Sequence, residues 1–181
     1  MRPAAFLDRD GVINIDHGYL YRWEDFEFVP GAVDALRRLQ AAGYALVIVT
    51  NQSGIARGYY DEAALQTLHD ALRAHLAAQG VTLDAIEHCP HLPEGLVARY
   101  AIDCDCRKPA PGMILRSAQA LGIDLGRSLM FGDKPSDIEA GQRAGVGRSV
   151  LLAKNANLAA AKGGQPAFAS LADAVDALLH D

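Results

Sequence analysis

The sequence predicts an α/β fold in three layers, a parallel β-sheet covered by helices on both faces. Two observations predict it. Short apolar runs at residues 4–7, 45–49, 128–131 and 149–152 each end in polar or glycine-containing turns, and segments of helical period lie between them. Strands that alternate with helices are joined by crossovers, which set the strands parallel and bury both faces of the sheet. A chain of 181 residues that is 50% apolar can bury one sizeable core, so a single domain over residues 1–181 is expected, carrying one inserted loop over 89–106.

Taken in order, the first run leads into Asp8-Arg9-Asp10-Gly11. Pro30 then opens a helix whose Val33, Leu36 and Leu39 share a face, and Gly43 ends it. The run at 45–49 passes into Thr50-Asn51-Gln52-Ser53-Gly54. A second helix starts near Asp61, places Leu65, Leu68, Leu72 and Leu76 on one stripe, and stops at Gly80. His69 and His75 fit that helix, His88 fits the end of an extra strand, and His180 fits the tail. Further helices are predicted over residues 111–121, 135–144 and 170–179, the last with Ser170 and Asp173 at capping-box-like spacing. The stretch 153–166, rich in Ala, Gly and Asn, is expected as a mobile surface segment.

A formal net charge of -5, with no dense run of Lys and Arg, excludes the basic footprint of a nucleic-acid binder. No apolar stretch approaches the ~20 residues needed to span a bilayer, and the charged 8–10 segment interrupts any signal-like core, so no membrane partner and a cytoplasmic location are expected. A small-molecule partner and a monomer are the expectation.

Ligands of a parallel α/β sheet sit at the carboxyl ends of its strands, which is where the polar residues after each apolar run fall. Asp8 and Asp10, two apart on extended backbone, project to the same side, and Gly11 lets the chain turn. Their repulsion calls for a cation, and oxygen-only ligands suit Mg2+. Such a pair on its own is common in turns. A third carboxylate is expected from Gly132-Asp133-Lys134-Pro135-Ser136-Asp137, where another apolar run meets a glycine and an aspartate. Asp133 is the expected ligand, and Asp137, one helical turn on, is placed to hydrogen-bond a neighbouring ligand or lysine. Phosphoryl transfer also needs positive or hydrogen-bonding groups around the equatorial oxygens. Thr50, Asn51, Gln52 and Ser53 offer a hydroxyl, amides and free N–H groups in one turn, and Arg107-Lys108 offer a planar fork beside a point charge.

A second constellation uses every cysteine of the chain. Cys89-Pro90-His91 is followed, after 12 intervening residues, by Cys104-Asp105-Cys106. Each arm points two ligands the same way, and the four together make a tetrahedral Cys3His shell suited to zinc, with no open position and therefore a structural role.

These residues resemble, in order, the four motifs of the haloacid dehalogenase superfamily of phosphatases: Asp8-Arg9-Asp10-Gly11, Thr50, Lys108, and Gly132-Asp133 with Asp137. The resemblance implies a Rossmann-like sheet and hydrolysis through a covalent aspartyl-phosphate. Asp8 would be the nucleophile and Asp10 the acid and base. Mg2+ would be held by Asp8, the Asp10 carbonyl and Asp133, with Thr50 and Lys108 stabilising the phosphoryl group. The spacing leaves no room for the large cap domain of many relatives. Within the superfamily, the zinc loop and the residues around Asp16-His17-Gly18-Tyr19 are similar to members acting on a sugar bisphosphate used in cell-surface polysaccharide synthesis. Histidinol phosphate or a general sugar phosphate is the alternative substrate, and a zinc-containing phosphosugar-binding protein the alternative without catalysis. A bisphosphate needs a second anion site, for which Arg57 and Arg107 are candidates. Asp16, His17, Gly18 and Tyr19 would read sugar hydroxyls alongside Asn51, Gln52 and Ser53, and Lys134 would reach the nucleophile or the phosphate.

Overall fold

The computed structural model describes residues 1–153 and 167–180. Six strands form one sheet: β1 (Ala4–Leu7), β2 (Ala45–Asn51), β3 (Ala85–Cys89), β4 (Leu129–Gly132), β5 (Arg148–Leu152) and β6 (Ala167–Phe168). Every pairing is parallel and the order is β3-β2-β1-β4-β5-β6. The chain builds outward from β1 to β3, then returns to the other side of β1 as β4. That reversal opens a crevice at the carboxyl ends of β1, β2 and β4.

Side-chain alternation along the strands sorts the core into two layers. Leu7, Leu46, Ile48, Phe131 and Val150 point to one face, where they meet α1 (Ala32–Ala41), α2 (Glu62–Ala78) and α5 (Leu171–Leu179) through Leu36, Leu39, Leu72, Leu76, Leu171 and Val175. Phe6, Val47, Val49 and Met130 point to the other, against Met113, Ile114 and Ala118 of α3 (Gly112–Leu121) and Ala140 and Ala144 of α4 (Pro135–Ala144). Each buried Leu or Ile contributes roughly 1.5–3 kcal/mol. Both faces being covered, the central strands read as continuous apolar runs, as the sequence does.

The helix ends follow local chemistry. The Asp61 carboxylate accepts from the Ala64 N–H at 2.8 Å to cap α2, and the Ser170 hydroxyl accepts from the Asp173 N–H at 3.2 Å to cap α5. At α4, Pro135 occupies the first turn and Asp137 Oδ2 accepts from the Lys134 N–H at 3.1 Å. α1 begins at Ala32 rather than Pro30, because Gly31 takes a left-handed conformation with φ 80° that a helix cannot include. The surface segment expected over 153–166 lies, apart from Ala153, outside the described residues. Among the described residues no helix is long and apolar enough to cross a membrane.

Gly132 is where the strand and helix of the last motif touch. A Cβ added there would overlap the Asp137 Cβ and sit 2.5 Å from its carboxyl group, so β4 and α4 can approach only because the residue is glycine. Gly132→Ala is therefore expected to destabilise the fold by about 1–3 kcal/mol. Denaturant midpoints check this, with Gly126→Ala as the control, since a Cβ there meets nothing closer than 3.6 Å.

Candidate active site

Asp8 leaves the end of β1, its N–H donating to the Phe131 carbonyl at 3.0 Å, so the β1–β4 ladder fixes its backbone. Thr50 and Asn51 are the last two residues of β2, and Asp133 directly follows β4. Lys108 arrives from the loop between β3 and α3 and is only 4% exposed. Its three ammonium hydrogens find three acceptors: Asp8 Oδ1 at 2.9 Å, Asp137 Oδ1 at 2.7 Å and the Val49 carbonyl at 2.7 Å. The Lys108 backbone is held as firmly. Its N–H donates to Asn51 Oδ1 at 3.0 Å, and Asn51 Nδ2 returns a bond to the Lys108 carbonyl at 3.2 Å.

The two aspartates of the first motif stand in opposite electrostatic settings. Burial pushes the Asp8 carboxyl up to about 7; Lys108 opposes the rise, and Asp137 and Asp133 reinforce it. Burial pushes Asp10 up too, but Arg9 and hydrogen bonds from Asn14, Arg9 and Gln52 outweigh it and hold the carboxyl below its ordinary range. Its Oδ1 accepts from Arg9 Nη2 at 2.9 Å and Asn14 Nδ2 at 2.9 Å, and its Oδ2 accepts from Gln52 Nε2 at 3.1 Å.

Arg9 is fully buried. Its Nη2 also donates to the Leu20 carbonyl at 3.0 Å, and Nη1 lies 3.1 Å from His69 Nε2. A guanidinium only donates, so His69 accepts on Nε2 and is neutral. Burial and then the charge of Arg9 push its pKa down to about 3.

Asp8, Asp133 and Asp137 each bring a carboxylate oxygen within 4.8 Å of the others. Asp133 Oδ1 is buried without a hydrogen-bond partner. Gly11, at φ 85°, carries no Cβ, which would overlap the Asp133 carboxylate. Oxygen ligands, an orphaned buried acceptor and a backbone cradle fit a hard divalent cation. Asp137 is committed to Lys108 and the Lys134 N–H, while the Asp10 carboxylate is turned to Arg9 and stands outside the trio.

The second cluster lies where β3 ends. Cys89, His91, Cys104 and Cys106 bring three sulfurs and one ring nitrogen within 4.8 Å of one another, and the cysteines are free. The Cys89–Cys104 Sγ–Sγ separation of 3.6 Å is near the tetrahedral edge of about 3.8 Å set by metal–sulfur bonds, His91 Nδ1 lies 3.3 Å from Cys106 Sγ, and the Cys89–Cys106 pair at 2.9 Å is closer than that edge. Four converging N and S donors could hold a metal ion. Cys104 Sγ also accepts from the Arg107 N–H at 3.3 Å.

Asp8, Asp10, Lys108 and Asp137 line a cavity of about 320 Å3. Of the residues expected to face substrate, Asp16, Gly18, Tyr19, Asn51, Gln52, Ser53 and Lys134 line it as well. Arg57, Arg107 and His17 do not. The Arg57 guanidinium lies 5.6 Å from the Tyr19 ring centroid, Arg107 Nη1 reaches back to the His91 carbonyl at 3.4 Å, and His17 pairs with Glu27 at 3.1 Å. Thr50 is fully buried, its hydroxyl accepting from Gln52 Nε2 at 2.9 Å.

The sequence reading did not single out Tyr60 and Ser136, which line the cavity, or Arg9, Asn14 and His69, which hold Asp10 from behind. A signal was present for part of this set. Arg9 alternates with two aspartates that share one side, so it must face the other, and His69 interrupts the leucine stripe of α2.

Comparison with known proteins gives one consistent picture. The family model for haloacid dehalogenase-like hydrolases matches residues 4–145. The D-glycero-beta-D-manno-heptose-1,7-bisphosphate 7-phosphatase of Salmonella typhi is 46% identical over 178 residues, covering 98% of this chain and 90% of its own. The enzyme of the same name from Escherichia coli K12 is 51% identical over 150 residues, 83% of this chain and 78% of its own. Among solved structures, the D,D-heptose 1,7-bisphosphate phosphatase of B. bronchiseptica, complexed with magnesium and phosphate, superposes with a TM-score of 0.84 at 35% identity, covering 98% of each chain. The strand order, the carboxylate cavity and these matches together show that the chain belongs to the haloacid dehalogenase-like hydrolase family.

Proposed function

We propose that the protein is a phosphatase that hydrolyses the 7-phosphate of D-glycero-β-D-manno-heptose 1,7-bisphosphate through an aspartyl-phosphate on Asp8. The observation that carries the reaction is the convergence of Asp8 and Asp10 on one cavity, with Asp8 Oδ1 2.9 Å from the buried ammonium of Lys108 and the Asp10 carboxylate held in place by Arg9, Asn14 and Gln52. The relatives that carry the heptose name, at 46% and 51% identity, support the substrate.

In this reading Asp10 takes up a proton as the phosphate dianion enters the cavity beside it; an Asp8 oxygen, ionised, attacks phosphorus as the bond to the ester oxygen breaks, and Asp10 gives that proton to the departing alkoxide. Asp10, now ionised, takes a proton from water. That water attacks phosphorus, inorganic phosphate leaves, and the Asp8 carboxylate is restored. Lys108 and the Thr50 hydroxyl stabilise the phosphoryl oxygens. Asp8, the Asp10 carbonyl and Asp133 would hold Mg2+, which when bound supplies positive charge beside the transferring group. Asp137 positions Lys108. Asp16, Gly18, Tyr19, Ser53 and Lys134, which line the cavity, meet the sugar and its phosphate. Zn2+ in the Cys3His cluster would be structural, since four protein donors leave no open position.

The decisive experiment is phosphate release across heptose bisphosphate, histidinol phosphate and simple sugar phosphates. The expected result is the highest kcat/KM on the heptose compound, with release by Asp8→Asn lowered at least about a thousandfold and its melting temperature retained. A preference for histidinol phosphate would sink the substrate assignment, and turnover by Asp8→Asn would sink the covalent route.

Magnesium binding should be proton-linked. A ligand carboxylate must ionise to bind, and burial holds Asp8 protonated up to about pH 7 in the metal-free protein. Because this folded-state pKa lies above the unfolded value, the stability that Asp8 contributes to metal-free protein is full at acid pH and is lost as pH rises through about 7. Mg2+ affinity runs the opposite way. Calorimetry is expected to show it level above pH 7 and falling toward tenfold per unit below, with proton release on binding.

For the second cluster, metal analysis is expected to find one zinc per chain. Cys104→Ser is expected to lower both zinc occupancy and melting temperature, with activity falling through the displaced Lys108.

A further inference from the structure

We propose that Tyr60 is a positioning residue for proton transfer, acting through the Gln52 amide to hold Asp10 with Oδ2 toward the reacting ester oxygen. The inference rests on Asp10 being the acid of the preceding section. It adds two residues whose bonds run to protein atoms rather than to substrate.

Gln52 is 3% exposed and its amide is almost fully engaged. Nε2 has two hydrogens and two acceptors, Asp10 Oδ2 at 3.1 Å and Thr50 Oγ1 at 2.9 Å. Its Oε1 accepts from the Tyr60 hydroxyl at 2.5 Å. The reversed amide would set a carbonyl oxygen against the Asp10 carboxylate, and a phenol that donates to Oε1 stabilises the observed orientation. Tyr60 therefore decides which end of Gln52 Asp10 sees.

The two Asp10 oxygens are unequal. Oδ1 accepts from Arg9 Nη2 at 2.9 Å, Arg9 Nε at 3.3 Å and Asn14 Nδ2 at 2.9 Å, which occupies its lone pairs. Oδ2 accepts two bonds to the three of Oδ1 and none as short as 2.9 Å: 3.1 Å from Gln52 and 3.2 Å from Arg9 Nη2. A proton carried by Asp10 belongs on Oδ2, and the only side chain outside the first motif that bonds this atom among the described residues is Gln52.

Tyr60 is built to stay in place. Its ring stacks on Tyr21 with centroids 5.0 Å apart and planes 15° apart, and it packs with Ile55, Leu65 and Leu68. Gly54 makes the room, because a Cβ there would overlap the Tyr60 ring. Tyr60 is 8% exposed, and its hydroxyl, held in place and bonded to the amide, acts on the far side of that amide.

The test compares two esters in Tyr60→Phe, which keeps the ring and removes the hydroxyl. An alkyl phosphate needs a proton on its departing oxygen; 2,4-dinitrophenyl phosphate, whose phenolate is stable, does not. Single-turnover release of the leaving group isolates the first step. Tyr60→Phe is expected to slow alkyl ester cleavage about 10- to 100-fold with KM unchanged, and release of dinitrophenolate less than about threefold. Tyr21→Phe, which keeps the stacked ring, is expected to match wild type on both. Equal losses on the two esters, or no loss on either, would overturn the proposal. Wild-type phosphate release, measured first, tests the underlying phosphatase reading by itself, and the ratio between esters tests Tyr60.

Discussion

The site depends on a charge imbalance that the fold builds and does not relieve by itself. Three carboxylates, Asp8, Asp133 and Asp137, converge on one another, and one buried ammonium, that of Lys108, pairs with two of them, Asp8 and Asp137. An ion taken out of water needs a partner within a few ångströms, and one lysine cannot neutralise three acids. Asp137 takes its share through a 2.7 Å ion pair and a helix-capping bond, which leaves Asp8 and Asp133 undercompensated. The raised carboxyl of Asp8 and the orphaned Asp133 Oδ1 are two expressions of the same deficit. A divalent cation or a transferring phosphoryl group with its cation meets it. The protein keeps Asp8 poorly satisfied so that it has something to gain by binding.

Asp10 is two residues away and lives under the opposite rule. Arg9, just past the end of β1, is fully buried beside neutral His69 and turns its guanidinium onto the Asp10 carboxylate. One short segment thus places an under-compensated acid and an over-compensated acid in the same cavity. Each setting follows from what surrounds the carboxyl, and the residue type is the same in both.

Much of this was legible in the sequence because backbone chemistry announced it. Pro135 and Ala144 bound the fourth helix where the pattern puts them, and the apolar runs coincide with β1, β2, β4 and β5 to within a residue or two. Convergence of Asp8, Lys108 and Asp133 follows from strand ends sharing one edge of a parallel sheet. What was not legible depends on side-chain direction and on pairs distant in sequence. β3 is half-buried along most of its length and β6 has only two residues, so neither carries a clear period. Arg57 and Arg107 read equally well as substrate contacts, until packing sends one onto Tyr19 and the other back to the His91 carbonyl. Gln52, expected to meet substrate, spends its amide on Asp10, Thr50 and Tyr60, a commitment no local pattern encodes.

The carboxylate cluster and the Cys3His cluster are mechanically one system. Cys106 stands two residues before Lys108, and Cys104 Sγ accepts the N–H of the intervening Arg107. Beyond that point Asn51, at the end of β2, grips the Lys108 backbone from both its N–H and its carbonyl. The segment is therefore clamped on one side by the Cys3His cluster and on the other by the sheet. A lysine on a free loop would leave its ammonium in water, because burying it costs desolvation as well as the entropy of a long side chain. Clamping the backbone removes much of that freedom beforehand, and the three acceptors then complete the burial. The cysteine cluster touches no reacting atom, yet it holds the path of the only cation that balances Asp8 and Asp137 in the described structure. The described residues form no large cap over the site, and rigidity supplied from the side takes the place of closure from above.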